Sequence, residues 1–161
     1  MPNPDFGTVN NLARPLKLLV APVLALALLT ACAQSSAFEP LADGPCTANQ
    51  EAAITKHLSA QIDALAARNW ELAYSYASAN FRFTIPLAQF TEIIQADYGM
   101  LIENKGYSFG PCEISGDNIM RQVNVASDQG EFSLAYKLSF YDSKIGVESA
   151  LIKQLTDGLS L

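Results

Sequence analysis

Apolar residues recur along this chain in two periods, helical up to about residue 101 and alternating from about residue 107 onward. Ile54, Leu58, Ile62 and Leu65 are spaced four, four and three, which places them on one stripe of a helix. Thr47 with Gln50 three positions later is a capping-box pattern that sets the start of this helix, and Arg68-Asn69 marks its end. Asn69 can cap a second helix, Trp70–Ala77, with Leu72, Ala73 and Tyr76 turned inward. Ser78-Ala79-Asn80 reads as a break, and Phe81-Arg82-Phe83-Thr84-Ile85 alternates like a short strand or extended link. Pro86 suits the first turn of a third helix whose stripe is Leu87, Phe90, Ile94, Tyr98 and Leu101, with Ile93 beside it.

Past Gly106 and Gly110-Pro111 the period becomes two. Phe132, Leu134, Tyr136, Leu138 and Phe140 alternate with Ser133, Ala135, Lys137 and Ser139, which predicts a half-buried antiparallel strand. Its expected partner is Arg121–Val125, joined through a hairpin at Ser127-Asp128-Gln129-Gly130. Further strands are expected over Tyr107–Ile114 and, after the turn Tyr141–Lys144, over Gly146–Ile152. Helices first and antiparallel strands afterwards predict an α+β fold, with three N-terminal helices packed on one face of a curved antiparallel sheet.

The first 31 residues follow neither period. Arg14 and Lys17 precede Leu18–Leu29, an apolar run of 12 residues. That is short of the roughly 20 residues needed to span a bilayer and suits the apolar region of a signal peptide. Leu29-Thr30-Ala31-Cys32 then resembles the lipobox of bacterial lipoproteins: a branched apolar residue, two small ones and a cysteine. The resemblance implies that Cys32 is lipid-modified and becomes the first residue of the mature chain. An ordinary signal peptide that happens to contain a cysteine, or a buried helix, is the plainer reading. Residues 33–45 mix small, polar, Pro and Gly residues and read as a tether. The expected division is a signal peptide over 1–31, a tether over 32–46, an α+β domain over 47–156 and a tail over 157–161. The implied address is the cell envelope. Ala33 after the cysteine, by resemblance to sorting in two-membrane bacteria, points to the periplasmic face of the outer membrane.

Charge narrows the partners. Removal of residues 1–31 leaves 8 basic and 15 acidic residues, and no two basic residues are adjacent. Such a surface repels phosphate backbones and gains nothing from anionic lipid, so no nucleic acid is expected and membrane attachment rests on the lipid anchor.

The order of elements resembles the nuclear transport factor 2-like cone and, within it, the bacterial group called domain of unknown function 4864. Gln61-Ile62-Asp63-Ala64-Leu65, Trp70-Glu71-Leu72-Ala73-Tyr74, Phe90-Thr91-Glu92-Ile93-Ile94 with Tyr98, Arg121-Gln122-Val123-Asn124-Val125 and Ala135-Tyr136-Lys137-Leu138 carry the likeness, over roughly residues 50–152. Asn69 stands where that group usually has Asp. Ile145-Gly146-Val147-Glu148-Ser149 replaces its usual Trp-Arg-Ile-x-Gly strand. The resemblance implies a shape with an open cone end and no established activity.

Candidate chemistry is sparse. Cys46 and Cys112 each follow a proline, and export permits either a bridge between them or two free thiols. Two cysteines and one distant His57 fall short of a zinc site, so neither a metal nor a cofactor is expected. His57 flanks the first helix stripe and reads as a boundary residue. No HExxH, P-loop or GxGxxG motif occurs. Superfamily enzymes with this cone place an acid or base beside Tyr, His or Arg. The corresponding pocket candidates are Tyr74, Arg82, Tyr98 and Tyr136, with Asp97 and Glu92 nearby in sequence, and no residue is assigned a catalytic role. The expected function is a non-catalytic binding or assembly module, with an envelope protein or a second copy covering the sheet face. The alternative is a small-molecule binder or an isomerase- or hydro-lyase-like enzyme using the cone pocket.

Overall fold

The computed structural model describes residues 41–141 and 144–153; the signal segment, Cys32, most of the tether and the tail lie outside the described residues. Helix α1 spans Ala48–Ala66 and begins with a complete capping box. The Thr47 side chain accepts from the Gln50 amide, and the Gln50 side chain accepts from the Thr47 amide. Helix α2 is Trp70–Ser75, capped by Asn69, whose side chain accepts from the Leu72 amide.

A third helix, α3 over Ala79–Thr84, replaces the extended link that alternation predicted for residues 81–85. Ser78 starts this helix rather than breaking the preceding one, because its hydroxyl accepts from the Phe81 amide at 2.9 Å. A two-residue alternation this short cannot be told from one helical turn. Phe81 packs against the core while Phe83 is 92% exposed. Leu72 also departs from expectation: it faces outward, and Ala73 is the buried residue of α2. Pro86 caps α4, Leu87–Asp97, and a four-residue helix α5, Gly99–Ile102, follows.

Among the described residues five strands form one antiparallel sheet in chain order: β1 Gly44–Pro45, β2 Asn104–Ser115, β3 Asn118–Ser127, β4 Gly130–Tyr141 and β5 Lys144–Lys153. The two-residue β1 falls in the segment read as tether, where it pairs with Glu113 and Ile114. The β3–β4 hairpin turns where Ser127 pairs Gly130. Register shifts between Phe109 and Cys112 in β2, and between Lys137 and Leu138 opposite β5, bend the sheet. Its inner face buries Ile119, Val123, Val125, Leu134 and Leu138 against Ile54, Leu58, Ile62 and Leu65 of α1. The Sγ atoms of Cys46 and Cys112 are bonded across Cα positions 5.4 Å apart, which ties the entry to α1 onto β2.

The free edge of β5 is partly closed by the junction between α2 and α3. Ala77 forms a parallel bridge with Val147: the Ser78 amide donates to the Val147 carbonyl and the Val147 amide to the Tyr76 carbonyl. A side chain on Gly146 would place Cβ 2.5 Å from Ser78 Cα, so glycine permits this approach. His57 buttresses the same junction through Nε2, 2.9 Å from the Tyr76 carbonyl. A carbonyl only accepts, so Nε2 carries the proton.

Burial lowers the His57 pKa below its ordinary value and outweighs the opposing hydrogen bond to Tyr76. The unfolded chain therefore binds this proton more readily than the folded one. The contribution is complete above about pH 6.5 and is lost as pH falls through the lower folded-state value. Urea titrations of wild type and His57→Gln, which can still donate to Tyr76, should diverge between about pH 7 and pH 5, with wild type losing more stability. Parallel losses in the two proteins would refute this account.

Candidate functional site

Between the helices and the last two strands lies a cavity of about 180 Å³. Helix α1 supplies Gln61 and Leu65, α4 supplies Phe90 and Ile94, β4 supplies Tyr136, and β5 contributes the stretch from Val147 to Leu151. These residues converge because the shift opposite Lys137 turns β5 across the end of α4. The strand is held there by the Tyr98 hydroxyl, which donates to the Ala150 carbonyl at 2.5 Å. Leu151, 64% exposed, stands at the mouth.

Most of the wall is apolar, and five polar side chains interrupt it, Ser149 at the β5 side among them. Gln61 is buried, and its Nε2 donates to the Ala73 carbonyl at 3.3 Å. Tyr98 has its pKa raised, first by burial and then by the Asp97 charge. Burial alone would raise the Glu148 pKa as well. Hydrogen bonds from Ser139, Ser78 and Asn80, with Lys137 nearby, outweigh it and hold this carboxyl below its ordinary value. The Ser139 hydroxyl donates to Glu148 Oε1 at 2.7 Å.

Tyr136 is the fifth. It is 1% exposed, and its pKa is pushed far above the phenol range, first by burial and then by the neighbouring Tyr98. Its hydroxyl makes no hydrogen bond among the described residues. Yet the one side-chain polar atom among them that is both sealed from solvent and unpartnered is Arg121 Nε. Tyr136 is one of the residues that line this cavity.

Of the four pocket candidates named from sequence, Tyr98 and Tyr136 line the cavity and two do not. The Tyr74 hydroxyl donates instead to the carbonyls of Ile85 at 2.7 Å and Arg82 at 3.1 Å, closing the end of α3. The Arg82 guanidinium donates to the carbonyls of Ser75 and Ala77 at the end of α2. Both satisfy backbone acceptors that short helices leave open. Glu92 and Asp97 are exposed on α4.

Sequence reading passed over Gln61 and Glu148 as cavity residues. Gln61 had a visible signal, since it sits three residues after Leu58 on an otherwise apolar stripe. Glu148 had none, because the register shift that turns its strand is not written locally. Arg121 occupies an inward position of β3 between Ile119 and Val123. Its guanidinium reaches Glu51 Oε1 at 3.2 Å and Thr55 Oγ1 at 3.4 Å, and it lies over the Phe109 ring.

Among the described residues no group of three His, Cys, Asp or Glu side chains is placed to hold a metal, and no helix is long and apolar enough to cross a membrane. What the geometry defines is an α+β domain with a bent five-stranded antiparallel sheet and a small cavity under its helices. The model of the family described as domain of unknown function (DUF4864) matches residues 47–152, and the chain belongs to that family. No curated protein matches the chain.

Proposed function

We propose that this protein is a lipid-anchored cell-envelope protein whose domain is a non-catalytic binding module of the nuclear transport factor 2-like cone type. The observation that carries the reading is the bond between Cys46 and Cys112, shortly after a lipobox cysteine. Structural disulfides persist in oxidising compartments and are rare in the cytosol. The lipobox and this bond, one from sequence and one from folded geometry, thus support the same destination.

The proposed division is a signal peptide over 1–31, a tether that ends near β1, and the cone-like domain from Thr47 onward. A diacylglycerol on Cys32 and an acylated amine supply the membrane affinity that an acidic surface lacks, since each buried CH₂ contributes about 0.8 kcal/mol. Ala33 favours the outer membrane where two membranes exist. The non-catalytic reading is supported by how three of the cavity's polar groups are engaged. Tyr98, Gln61 and Glu148 each hold a hydrogen bond within the protein. His57 is bonded to backbone and does not line the cavity. The isomerase- or hydro-lyase-like alternative requires a base free to take a proton from a substrate, and Glu148 is already bonded to Ser139.

The anchor is tested with Cys32→Ser in the full chain. Metabolic labelling with an alkyne fatty acid should mark the wild type and leave the variant unlabelled. The variant should also move from the membrane to the soluble fraction. Undiminished labelling, or wild-type protein carrying no lipid mass, would sink the proposal.

A further inference from the structure

The cavity is too small for the drug-sized ligands that occupy pockets of roughly 300–1,000 Å³. It is the right size for one ring: an apolar protein cavity of roughly 150 Å³ admits benzene. Three features of its lining then restrict the occupant. Phe90, Ile94, Leu65 and Val147 favour hydrocarbon. The buried hydroxyl of Tyr136, unpartnered among the described residues, asks for an acceptor, because a donor left without one in an apolar site is costly. Desolvation by a wall this apolar opposes a carboxylate or phosphate in the same space.

We propose that this cavity binds an uncharged, single-ring molecule bearing one carbonyl or ether oxygen, with the ring among Phe90, Ile94 and Leu65 and the oxygen accepting from the Tyr136 hydroxyl. The inference rests on reading the domain as a binding module and names its ligand class. No covalent step is involved. The ligand enters past Leu151, and Ala150 lines the floor opposite Tyr136, its register partner on β4.

The test uses the full chain in lipid nanodiscs, labelled with 3-fluorotyrosine, with empty nanodiscs as the partitioning reference. The fluorine signal of residue 136 is assigned by its loss in Tyr136→Phe. Cyclohexanone should shift that signal saturably, and benzoate should not. By ligand-observed titration, Tyr136→Phe should weaken cyclohexanone about tenfold, the effect of one lost hydrogen bond. Toluene, which has no acceptor, should bind both proteins within about twofold. Ala150→Met fills the space with a flexible apolar side chain and should abolish binding of both compounds while leaving the thermal melt cooperative. The proposal is overturned by a non-saturable shift at residue 136, by benzoate matching cyclohexanone, by equal cyclohexanone affinity in Tyr136→Phe, or by unaltered binding to a folded Ala150→Met protein. Any of these results with Cys32 still acylated removes the ligand class and leaves the anchor standing. The two failures are therefore distinguishable.

Discussion

Replacing Cys46 and Cys112 together with Ala should lower the melting temperature by about 10–20 °C. The bond joins residues 66 apart in sequence. Closing a loop of that length in the unfolded chain removes entropy worth about 4 kcal/mol in the chain-entropy account. For a domain near 110 residues, each kcal/mol moves the midpoint by about 4 °C. The bond also fixes the two-residue β1, which otherwise holds to the sheet through little more than its pairing with Glu113 and Ile114 and the Cys46 amide bond to the Cys112 carbonyl. Thermal melts followed by circular dichroism should show wild type shifting down in reductant to nearly the midpoint of the double variant, and the variant ignoring reductant. If wild type and variant melted together in oxidising buffer, the bond would contribute nothing to stability.

The second large effect is asymmetric. Arg121 is 6% exposed, whereas the side chain of its partner Glu51 is 46% exposed. Removing the partner of a buried charge leaves that charge uncompensated, and removing the buried charge itself does not. Glu51→Ala should therefore cost about 2–4 kcal/mol, more than an exposed salt bridge, whose loss costs about 1 kcal/mol or less. Helix polarity adds to this. Glu51 lies in the first turn of α1, where the backbone amides carry partial positive charge, and without it the guanidinium faces that end alone. Arg121→Met keeps the apolar stem, removes the orphaned Nε and lets Glu51 turn to water. It should change stability by no more than about 1 kcal/mol. The decisive protein is the double variant, Glu51→Ala with Arg121→Met, which should recover most of the Glu51→Ala loss in urea denaturation. A double variant as unstable as the sum of its parts would show that the guanidinium is not the source of the cost.

These residues also mark where sequence reading reached and where it stopped. The stripe through Ile54, Leu58, Ile62 and Leu65, the Thr47–Gln50 cap and the Ser127–Gly130 hairpin each depend on residues a few positions apart, so their spacing alone carried the information. Phe81–Ile85 failed as an extended link because five residues hold too little of either period, and the Ser78 hydroxyl decided for a helix. The period of two put Arg121 on the face of Val123 and Val125, but nothing near it in sequence offered a partner for its charge. Only the arrival of α1 over β3 supplied its carboxylate. Tyr74 and Arg82 were plausible pocket residues by type, yet short helices left carbonyls open beside them and those acceptors took their polar groups.

The starts of α1 and α2, the antiparallel pairing of β3 with β4 and the acidic composition were determined by the sequence itself, because each rests on local capping, local periodicity or composition. The tertiary structure alone decided that Cys46 comes within bonding distance of Cys112, that the α2–α3 junction closes the edge of β5, and that Gln61, Tyr98, Tyr136 and Glu148 share one cavity. Those juxtapositions join residues tens of positions apart. They depend on how far the sheet bends at its register shifts and on which helix then covers it, and no local spacing encodes either.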